Sequence, residues 1–552
     1  MRTYEKALDG AFWQQVRTAD AYHRHRRELE KNWESLCCQP VEALPYHEFR
    51  RYYLDGDRRS FEKFYFGRRQ ALNTACFLSL LYPEEPQYLE KAQDLIFAMC
   101  NEFTWVLPAH QKTLENFNPV HIDLFAAESA LNLSEVYVLL EDRLDAFLLR
   151  RIREEIRRRI LEPYKSRTFG WETAATNWTA VCTCGVAIAL CNLFPEEATA
   201  LLPRFYSAAE SFLSGFGDDG YCLEGPMYWG YGFGFFTALA ERLRSFGGKD
   251  LFQTPKVERI ASFFQKVTLC PGVELTFADA DMGTRYSLGI QHFLHKEYPD
   301  TVTIPPMENS SLTDRMGRMC LHLRSFMWFD PEAACCEREG IHYGEDSQWL
   351  IARQSAYGFA AKGGHNDEPH NHNDIGSFIF AKNGRQILTD PGRAQYCRDY
   401  FAEETRYTFL HTASWGHSVP IVGGQYQQPG KEFAAGGVVF DGKTLSMELR
   451  SAYDAENLQS LRRSFLLEAD GVTLTDRICA DAPITERLVA TEAPTVAEGR
   501  LSWKDATVTF SPAVLPTVTP TENTVDGNQT QVLYLIDIPL PPGTEEFVCK
   551  MA

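Results

Sequence analysis

The sequence predicts two domains, a helical domain of packed helix pairs followed by an antiparallel β-sandwich. Before about residue 335, long segments repeat apolar residues at α-helical spacing, and short breaks with Pro, Gly or Asp separate them. After about residue 340, short apolar runs alternate with turn residues. A chain of 552 residues is also too long for one ordinary core. We therefore place the domains at 1–335 and 336–552.

The helical part is predicted from its apolar periodicity. The predicted helices are 64–82, 88–103, 121–140, 144–161, 178–193, 198–216 and 321–330. Helices joined by such tight breaks pack as antiparallel pairs. The Arg-rich stretch 150–159 also contains Ile and Glu, which indicates a solvated helix face and not a nucleic-acid patch.

The β part is predicted from short runs bounded by Gly, Asp and Pro. The predicted strands are 348–354, 437–440, 444–449, 472–476, 506–510 and 531–536. Runs of this kind indicate stacked antiparallel sheets, which is a sandwich architecture.

Composition narrows the possible partners and the compartment. A net charge of −19 argues against general nucleic-acid binding, although a local basic cleft in an acidic protein can still bind a polyanion. No signal-peptide core and no run of about 18 apolar residues is present, so we expect no membrane partner. The 15 Cys show no framework spacing, which fits reduced thiols in a cytoplasmic protein. Homo-oligomerisation is left open.

The stretch 365–377 carries the densest chemistry in the chain. It contains His365, His370 and His372 together with carboxylates and amides, and a strand-like run follows at 378–382. Imidazoles grouped in this way bind a metal or move protons near neutral pH. The alternative is a polar surface loop that happens to be rich in His.

A predicted hairpin connects this stretch to a carboxylate. The Asn-Gly pair at 383–384 lies between two apolar runs and predicts a two-residue turn, which brings Asp390 back beside Ser377. Strict alternation along the strands would place Asp390 on the opposite face from His372. We therefore expect a loop or bulge near Gly376.

More imidazoles follow at 411–418. Two His and one Asp, with a water in an open position, make a plausible zinc site, although the spacing is not that of a finger or ribbon. The imidazoles of this stretch are His411 and His417.

The helical half holds two further motifs. At 175–181, Asn177 and Trp178 stand where a helix is predicted to begin, and the alternative role of Asn177 is a simple N-cap. The stretch 218–232 combines aromatic side chains with Gly and Pro. Aromatic rings stack on sugars and glycines leave room for them, while ordinary packing is the alternative.

These motifs together resemble the heparinase II/III-like polysaccharide lyases. The matching pieces are 105–110, 118–124, 177–178, 224–228, 370–378, 389–392 and 416–419. The His-x-His-x-Asp-x-Gly block with its downstream Asp-Pro-Gly is the most specific of them. The resemblance implies an N-terminal α/α-toroid, an incomplete barrel of helix pairs, followed by a C-terminal antiparallel β-sandwich.

The resemblance also implies a chemistry. Such lyases break the bond at C4 of a uronic acid after removal of the C5 proton, and a donor must stabilise the developing aci-carboxylate. Asn177 matches that donor, with help from His370. Tyr228 matches the catalytic tyrosine and is base and acid in a syn elimination, whereas in an anti elimination His370 is the base and Tyr228 the acid. Tyr has an ordinary pKa of about 10, so we expect positive charge from Arg393 or Arg406 to lower it.

Metal and substrate contacts are implied as well. His372, Asp390 and His417 match the metal positions of the family, with Zn²⁺ in a structural or supporting role. The predicted substrate-binding residues are His110, Trp178, Arg393, Tyr396 and Arg406. The chain departs from some members at Trp178, where they have His, and at Ser418, where Asn is common. The second departure leaves a choice between His417 and His411 as the third metal ligand.

The expected function is therefore a lyase that cleaves acidic, uronic-acid-containing oligosaccharides, with glycosaminoglycans favoured. Two alternatives stay open. One is a metal-supported glycoside hydrolase that uses the same cleft, and the other is a non-catalytic carbohydrate-binding protein.

Overall fold

The computed structural model describes residues 2–313, 316–336, 339–527 and 529–552. It divides into two compact units. The helical unit comprises Met1–Gly215, Gly230–Glu258 and Tyr286–Cys335, and the β-rich unit comprises Phe216–Trp229, Arg259–Arg285 and Cys336–Ala552. The chain passes from the helical unit to the β-rich unit for the last time between Cys335 and Cys336, at the predicted boundary. Two earlier segments, Phe216–Trp229 and Arg259–Arg285, also belong to the β-rich unit. Tyr228 lies in one of them.

Each predicted helix is found within a few residues of its expected position. The longer helices of the helical unit are Gly10–Thr18, His23–Asn32, Arg59–Leu81, Pro86–Cys100, Leu124–Leu140, Ala146–Ile156, Asn177–Leu193, Pro195–Ser214, Gly234–Ser245, Leu288–Glu297 and Met319–Met327. Ala146–Ile156 continues into a π-helical turn, Arg157–Leu161.

Leu124–Leu140 and Asn177–Leu193 form the centre of the helical unit. Both are apolar around their circumference and buried along most of their length, as expected of helices enclosed by other helices. They pack against each other closely, because a Cβ at Gly185 would lie 2.5 Å from the carbonyl oxygen of Ala127. Asn177 is thereby held at the beginning of a central helix.

The β-rich unit contains two large antiparallel sheets. In spatial order, one consists of Thr517–Val525, Gln529–Pro539, Ile484–Ala490, Arg385–Leu388, Phe378–Lys382, Gly358–Lys362, Trp349–Arg353 and Gly340–Tyr343, with Ile421–Val422 paired to Ile484–Ala490. The other consists of Gly436–Phe440, Thr444–Glu448, Leu458–Leu467, Val472–Ala480, Glu546–Met551, Thr507–Ser511, Arg500–Ser502 and Thr495–Ala497.

The two sheets share one apolar core. The rings of Phe359 and Phe378 in the first sheet lie 5.3 Å and 5.4 Å from the ring of Phe465 in the second. Facing sheets with a common core form a sandwich. The predicted fold class, an α/α-toroid followed by an antiparallel β-sandwich, is confirmed.

The predicted hairpin is present, with its turn at Asn383 (φ 50°) and Gly384 (φ 74°). The expected irregularity is found on both sides of it. Gly376 has φ 82°, and the strand pairing slips by one residue across 386–388. This bulge changes the face to which the following chain points, so Asp390 can turn towards the histidine side.

The membrane and cysteine expectations concern the whole chain. Within the described ranges, no helix combines the length and apolarity needed to span a membrane. Within the described residues, no disulfide bond joins any of the 15 cysteines. The cytoplasmic location stays a prediction.

Candidate active site

The β-rich unit contains a tyrosine–histidine cluster, which consists of Tyr228, Tyr396 and His370. The hydroxyl oxygens of Tyr228 and Tyr396 are 2.9 Å apart, and the ring of Tyr228 stacks on the imidazole of His370 with centroids separated by 4.1 Å. His370 has φ 57°, which a residue other than Gly adopts only when its surroundings hold it there. Sequence motifs 142 residues apart thus meet, as the resemblance implied.

Asp279, which the sequence patterns did not indicate, lies at the centre of this cluster. Its carboxylate is 2.6 Å from Nδ1 of His370 and 3.1 Å from Nε2 of His372, and it accepts a hydrogen bond from the Tyr400 hydroxyl. Burial acts to raise the pKa of Asp279, but the hydrogen bonds from both histidines and the nearby Arg406 outweigh it and hold the pKa well below its usual value. An ionised carboxylate only accepts, so both imidazoles donate to it.

Tyr228 is protonated in this environment. Burial raises its pKa, and the charge of Asp279 raises it further. The hydrogen bond with Tyr396 and the charge of Arg393 act in the opposite direction but do not compensate. The expectation that an arginine lowers this pKa below its ordinary value is therefore wrong, because desolvation of the phenol dominates.

The two predicted arginines are held by protein partners. Arg393 is buried and paired with Asp281 at 2.8 Å and Asp526 at 3.2 Å, and its guanidinium lies 4.4 Å from the centroid of the Tyr396 ring. Arg406 donates to a backbone carbonyl at 2.9 Å and lies 3.7 Å from Asp279. Both place positive charge beside the tyrosines, and their predicted contacts with substrate stay predictions.

His372, Asp390 and His417 form a buried triad. One ligand atom from each lies within 4.8 Å of the others. Nε2 of His372 donates to Asp279, and Nε2 of His417 donates to the backbone oxygen of His411 at 2.9 Å. Each ring therefore keeps a lone pair on Nδ1. Nδ1 of His417 is 2.8 Å from Asp390, and among the described atoms Nδ1 of His372 has no hydrogen-bond partner.

This arrangement fits a zinc ion and distinguishes the two candidate ligands. Two imidazole nitrogens and one carboxylate are a suitable donor set for Zn²⁺. His417 contributes its ring to the triad, whereas His411 contributes its backbone carbonyl to orienting that ring. His365, which had no assigned role, lies in the short strand His365–Asn366.

The helical unit brings together two of its predicted residues. The ring of His110 lies 4.8 Å from that of Trp178 and is nearly parallel to that of Phe125 at 5.5 Å. Its Nδ1 is 2.6 Å from a carboxylate oxygen of Asp123. His110 and Trp178 are both partly exposed, so a ligand can reach them.

Asn177 is buried and is the first residue of its helix. Thr176 occupies the N-cap position, so the interpretation of Asn177 as the cap is wrong. Gly232 packs against it, because a Cβ there would lie 3.2 Å from the Cβ of Asn177. A side chain at position 232 would therefore require Asn177 or its neighbours to shift slightly.

Comparison with known proteins identifies the β-rich part. Residues 338–533 match the family model described as "Heparinase II/III-like, C-terminal". This part of the chain belongs to the heparinase II/III-like family. The resemblance carried by the motifs is thereby confirmed. No curated protein matches the sequence.

Several solved structures share the fold of this protein. Heparinase III has a TM-score of 0.61 and 15% identity, covering 89% of this chain and 77% of that one. The heparan sulfate lyase HepC from Pedobacter heparinus has 0.58 and 12%, covering 100% and 86%. The Streptomyces coelicolor A3 chondroitin AC lyase, in complex with chondroitin sulphate, has 0.57 and 12%, covering 100% and 82%. At these identities the likeness establishes the fold.

Proposed function

We propose that this protein is a polysaccharide lyase that cleaves uronic-acid-containing oligosaccharides of the glycosaminoglycan type by β-elimination. The observation that carries the proposal is the cluster of Tyr228, His370 and Asp279, in which His370 belongs to the part of the chain that matches the heparinase II/III-like family model. Two of the similar structures are a heparan sulfate lyase and a chondroitin AC lyase, which supports an acidic polysaccharide as the substrate class.

In this proposal Tyr228 gives its proton to the leaving C4 oxygen. Burial keeps the phenol protonated by raising its pKa, so a proton is present when the substrate binds. The hydroxyl of Tyr396, 2.9 Å away, can donate to the phenolate as it forms. Arg393 stacks beside Tyr396 and places a positive charge next to the developing negative one.

His370 is the proposed base. Because its Nδ1 donates to Asp279, the lone pair of the neutral ring lies on Nε2, and the ring remains partly exposed. Nε2 is 3.5 Å from a carboxylate oxygen of Glu224. This division of roles is the anti elimination. The syn alternative, in which Tyr228 is both base and acid, is separable with substrates that differ only in the configuration at C5.

Carboxylate neutralisation is assigned to Asn177 on the family resemblance. A buried amide at the first turn of a central helix is a fixed donor, as electrostatic stabilisation requires. His110 and Trp178 are proposed to contact the sugar, since an imidazole edge and an indole face suit a hydroxylated ring.

We also propose that His372, Asp390 and His417 hold Zn²⁺. When bound, the ion would supply a cross-link between three chain segments and leave proton transfer to the tyrosine–histidine cluster. Chelation is expected to lower the melting temperature, and added zinc to restore it. An unchanged melting temperature on chelation of a zinc-loaded sample would contradict the assignment.

The decisive experiment incubates defined uronate oligosaccharides with the protein and follows ultraviolet absorbance together with new reducing ends. Elimination yields a C4–C5 double bond conjugated to the carboxylate, so both signals rise together. Tyr228→Phe should lose the absorbance signal but retain binding, while Tyr426→Phe, the same change at an exposed tyrosine of this unit, should retain both. Reducing ends without absorbance would indicate a hydrolase. Binding without either signal would indicate a carbohydrate-binding protein.

A further inference from the structure

We propose that Asp279 is a positioning residue shared by the two halves of the site, fixing both His370 and the zinc ligand His372. Zinc loading and the geometry of the base are then coupled through one carboxylate. The part that concerns His370 rests on the proposed function, whereas the part that concerns zinc does not.

The carboxylate of Asp279 is divided between the two imidazoles. Oδ2 is 2.6 Å from Nδ1 of His370, and Oδ1 is 3.1 Å from Nε2 of His372. The Tyr400 hydroxyl donates to Oδ1, and the guanidinium of Arg406 lies 3.7 Å from Oδ2. The side chain is fully buried and surrounded by donors, so it cannot rotate without breaking one of these bonds.

The backbone geometry around Asp279 indicates that the surrounding structure imposes its position. Ala278 has φ 59° and His370 has φ 57°, so a left-handed residue stands on each side of the Asp279–His370 hydrogen bond. Such conformations are strained for residues other than Gly and persist where the surroundings impose them. The strain is therefore located at the contact that the proposal invokes.

The segment that carries Asp279 is also fastened to the zinc ligand Asp390. The hydroxyl of Thr276 donates to the backbone oxygen of Asp390 at 2.9 Å, and the amide of Arg393 donates to the backbone oxygen of Ala280 at 3.0 Å. A Cβ at position 392 would lie 2.3 Å from that same oxygen, so only Gly fits between the two segments. Asp279 thus lies on a segment bonded to the triad residue Asp390 and to Arg393, three residues after it.

The carboxylate of Asp279 sets the tautomers of two histidines, His370 and His372. A proton on Nε2 of His372 leaves Nδ1 free to bind zinc, and a proton on Nδ1 of His370 leaves Nε2 free to accept a proton. An amide at position 279 can accept at only one atom and would point a donor at the other ring. In Asp279→Asn, the tautomer preferences of His370 and His372 should therefore weaken together.

The test compares Asp279→Asn with Tyr400→Phe in the full chain. Tyr400→Phe removes one hydrogen bond to the same carboxylate but keeps its charge. Zinc affinity is measured by chelator competition without substrate, and kcat and KM are measured at saturating zinc. For Asp279→Asn we expect zinc affinity to fall roughly 10- to 100-fold, and kcat to fall by about 100-fold or more while KM changes by less than about threefold. Tyr400→Phe should change each quantity by less than about threefold.

Each other result overturns the proposal. Unchanged zinc affinity would show that Asp279 serves His370 alone, and full recovery of kcat at saturating zinc would show that it serves His372 alone. If wild-type protein has no lyase activity, the proposed function fails while the zinc titration still decides the His372 part.

A wild-type measurement covers the case in which Asp279→Asn does not fold. In imidazole ¹⁵N spectra, assigned with His370→Gln, the proposal expects the His370 ring to be protonated on Nδ1 and its signals to shift when zinc is added. A His370 signal that is insensitive to zinc overturns the coupling.

Discussion

The helical unit and the β-rich unit each hold a histidine against a buried aspartate. Nδ1 of His110 lies 2.6 Å from Asp123 in the first, and Nδ1 of His370 lies 2.6 Å from Asp279 in the second. The two pairs have the same distance and the same ring nitrogen. What differs is how each carboxylate is held.

Asp123 is held mainly by backbone amides. It is the N-cap of Leu124–Leu140 and accepts from the amide of Ala126 at 2.7 Å and from that of Leu107 at 3.2 Å. Backbone amides and the helix N-terminus satisfy its charge. The aspartate is thus part of the helix, and His110 is fastened to a structural element.

Asp279 is held by side chains. His370, His372 and Tyr400 donate to it, and Arg406 faces it. His370 also belongs to the proposed proton-transfer site, and His372 to the proposed zinc site. We infer the role of each His–Asp pair from the other partners of its aspartate, and we propose proton transfer for the second pair and ligand contact for the first.

The largest expected effect tests that assignment at His370. His370→Ala should lower kcat by about 1000-fold, within the range typical of a lost general base or acid, and leave KM nearly unchanged. The rate of absorbance increase measures it. His365→Ala, in the same stretch, is the matched control and should keep the wild-type kcat. Retained kcat in His370→Ala would remove the chemical role from the pair.

A buried histidine whose partner is a backbone carbonyl sharpens the contrast with both pairs. Nε2 of His25 faces the oxygen of Ser325 at 3.1 Å, and burial lowers the pKa of His25 from 6.5 to about 4. Between pH 6.5 and 4 the unfolded chain binds a proton that the folded state does not, so the free energy of unfolding falls by about 3 kcal/mol as pH drops through this window.

Urea unfolding at several pH values measures this loss, and His25→Phe should reduce the slope between pH 6.5 and 4. His47→Phe, the same change at a highly exposed histidine of the helical unit, should leave it unchanged. An unaltered slope in His25→Phe would show that other groups dominate acid unfolding of this protein.

Sequence predicts the local features of this protein but not the features that depend on tertiary packing. The Asn-Gly turn and the long apolar helices are local patterns, and they were predicted correctly. The ordered triad of His372, Asp390 and His417 could be proposed only from a family motif. Strand alternation alone pointed Asp390 the wrong way, because the bulge at 386–388 depends on packing.

Asp279 shows what local patterns cannot reveal. Asp279 lies 91 residues before His370, in a short segment that contains no histidine. Only the folded sandwich brings Asp279 and His370 together. The pKa of Tyr228 was mispredicted for a related reason. An arginine can be anticipated from sequence, whereas the desolvation that outweighs it depends on the complete tertiary environment.

A smaller effect is expected from the structural role of Asp123. Asp123→Ala should lower the free energy of unfolding by about 2 kcal/mol, at the upper end for a lost N-cap, since it also removes the contacts with His110 and Leu107. Urea unfolding near neutral pH measures the change. Asp145→Ala removes an exposed N-cap of the same type and should cost about 1 kcal/mol or less. Equal losses would mean that the additional contacts of Asp123 contribute nothing.

The smallest expected effect concerns ligand contact by His110. His110→Ala should raise KM by up to about tenfold, equivalent to roughly 1.4 kcal/mol, with kcat changed by less than about threefold. Its ring packs between Phe125 and Trp178, so truncation removes one face of a partly exposed surface and no proton-transfer group. His121→Ala, at a nearby partly buried histidine, controls for general loosening of this region. A fall in kcat as large as that of His370→Ala would mean that both pairs take part in proton transfer, and the distinction drawn from the partners of the two aspartates would then fail.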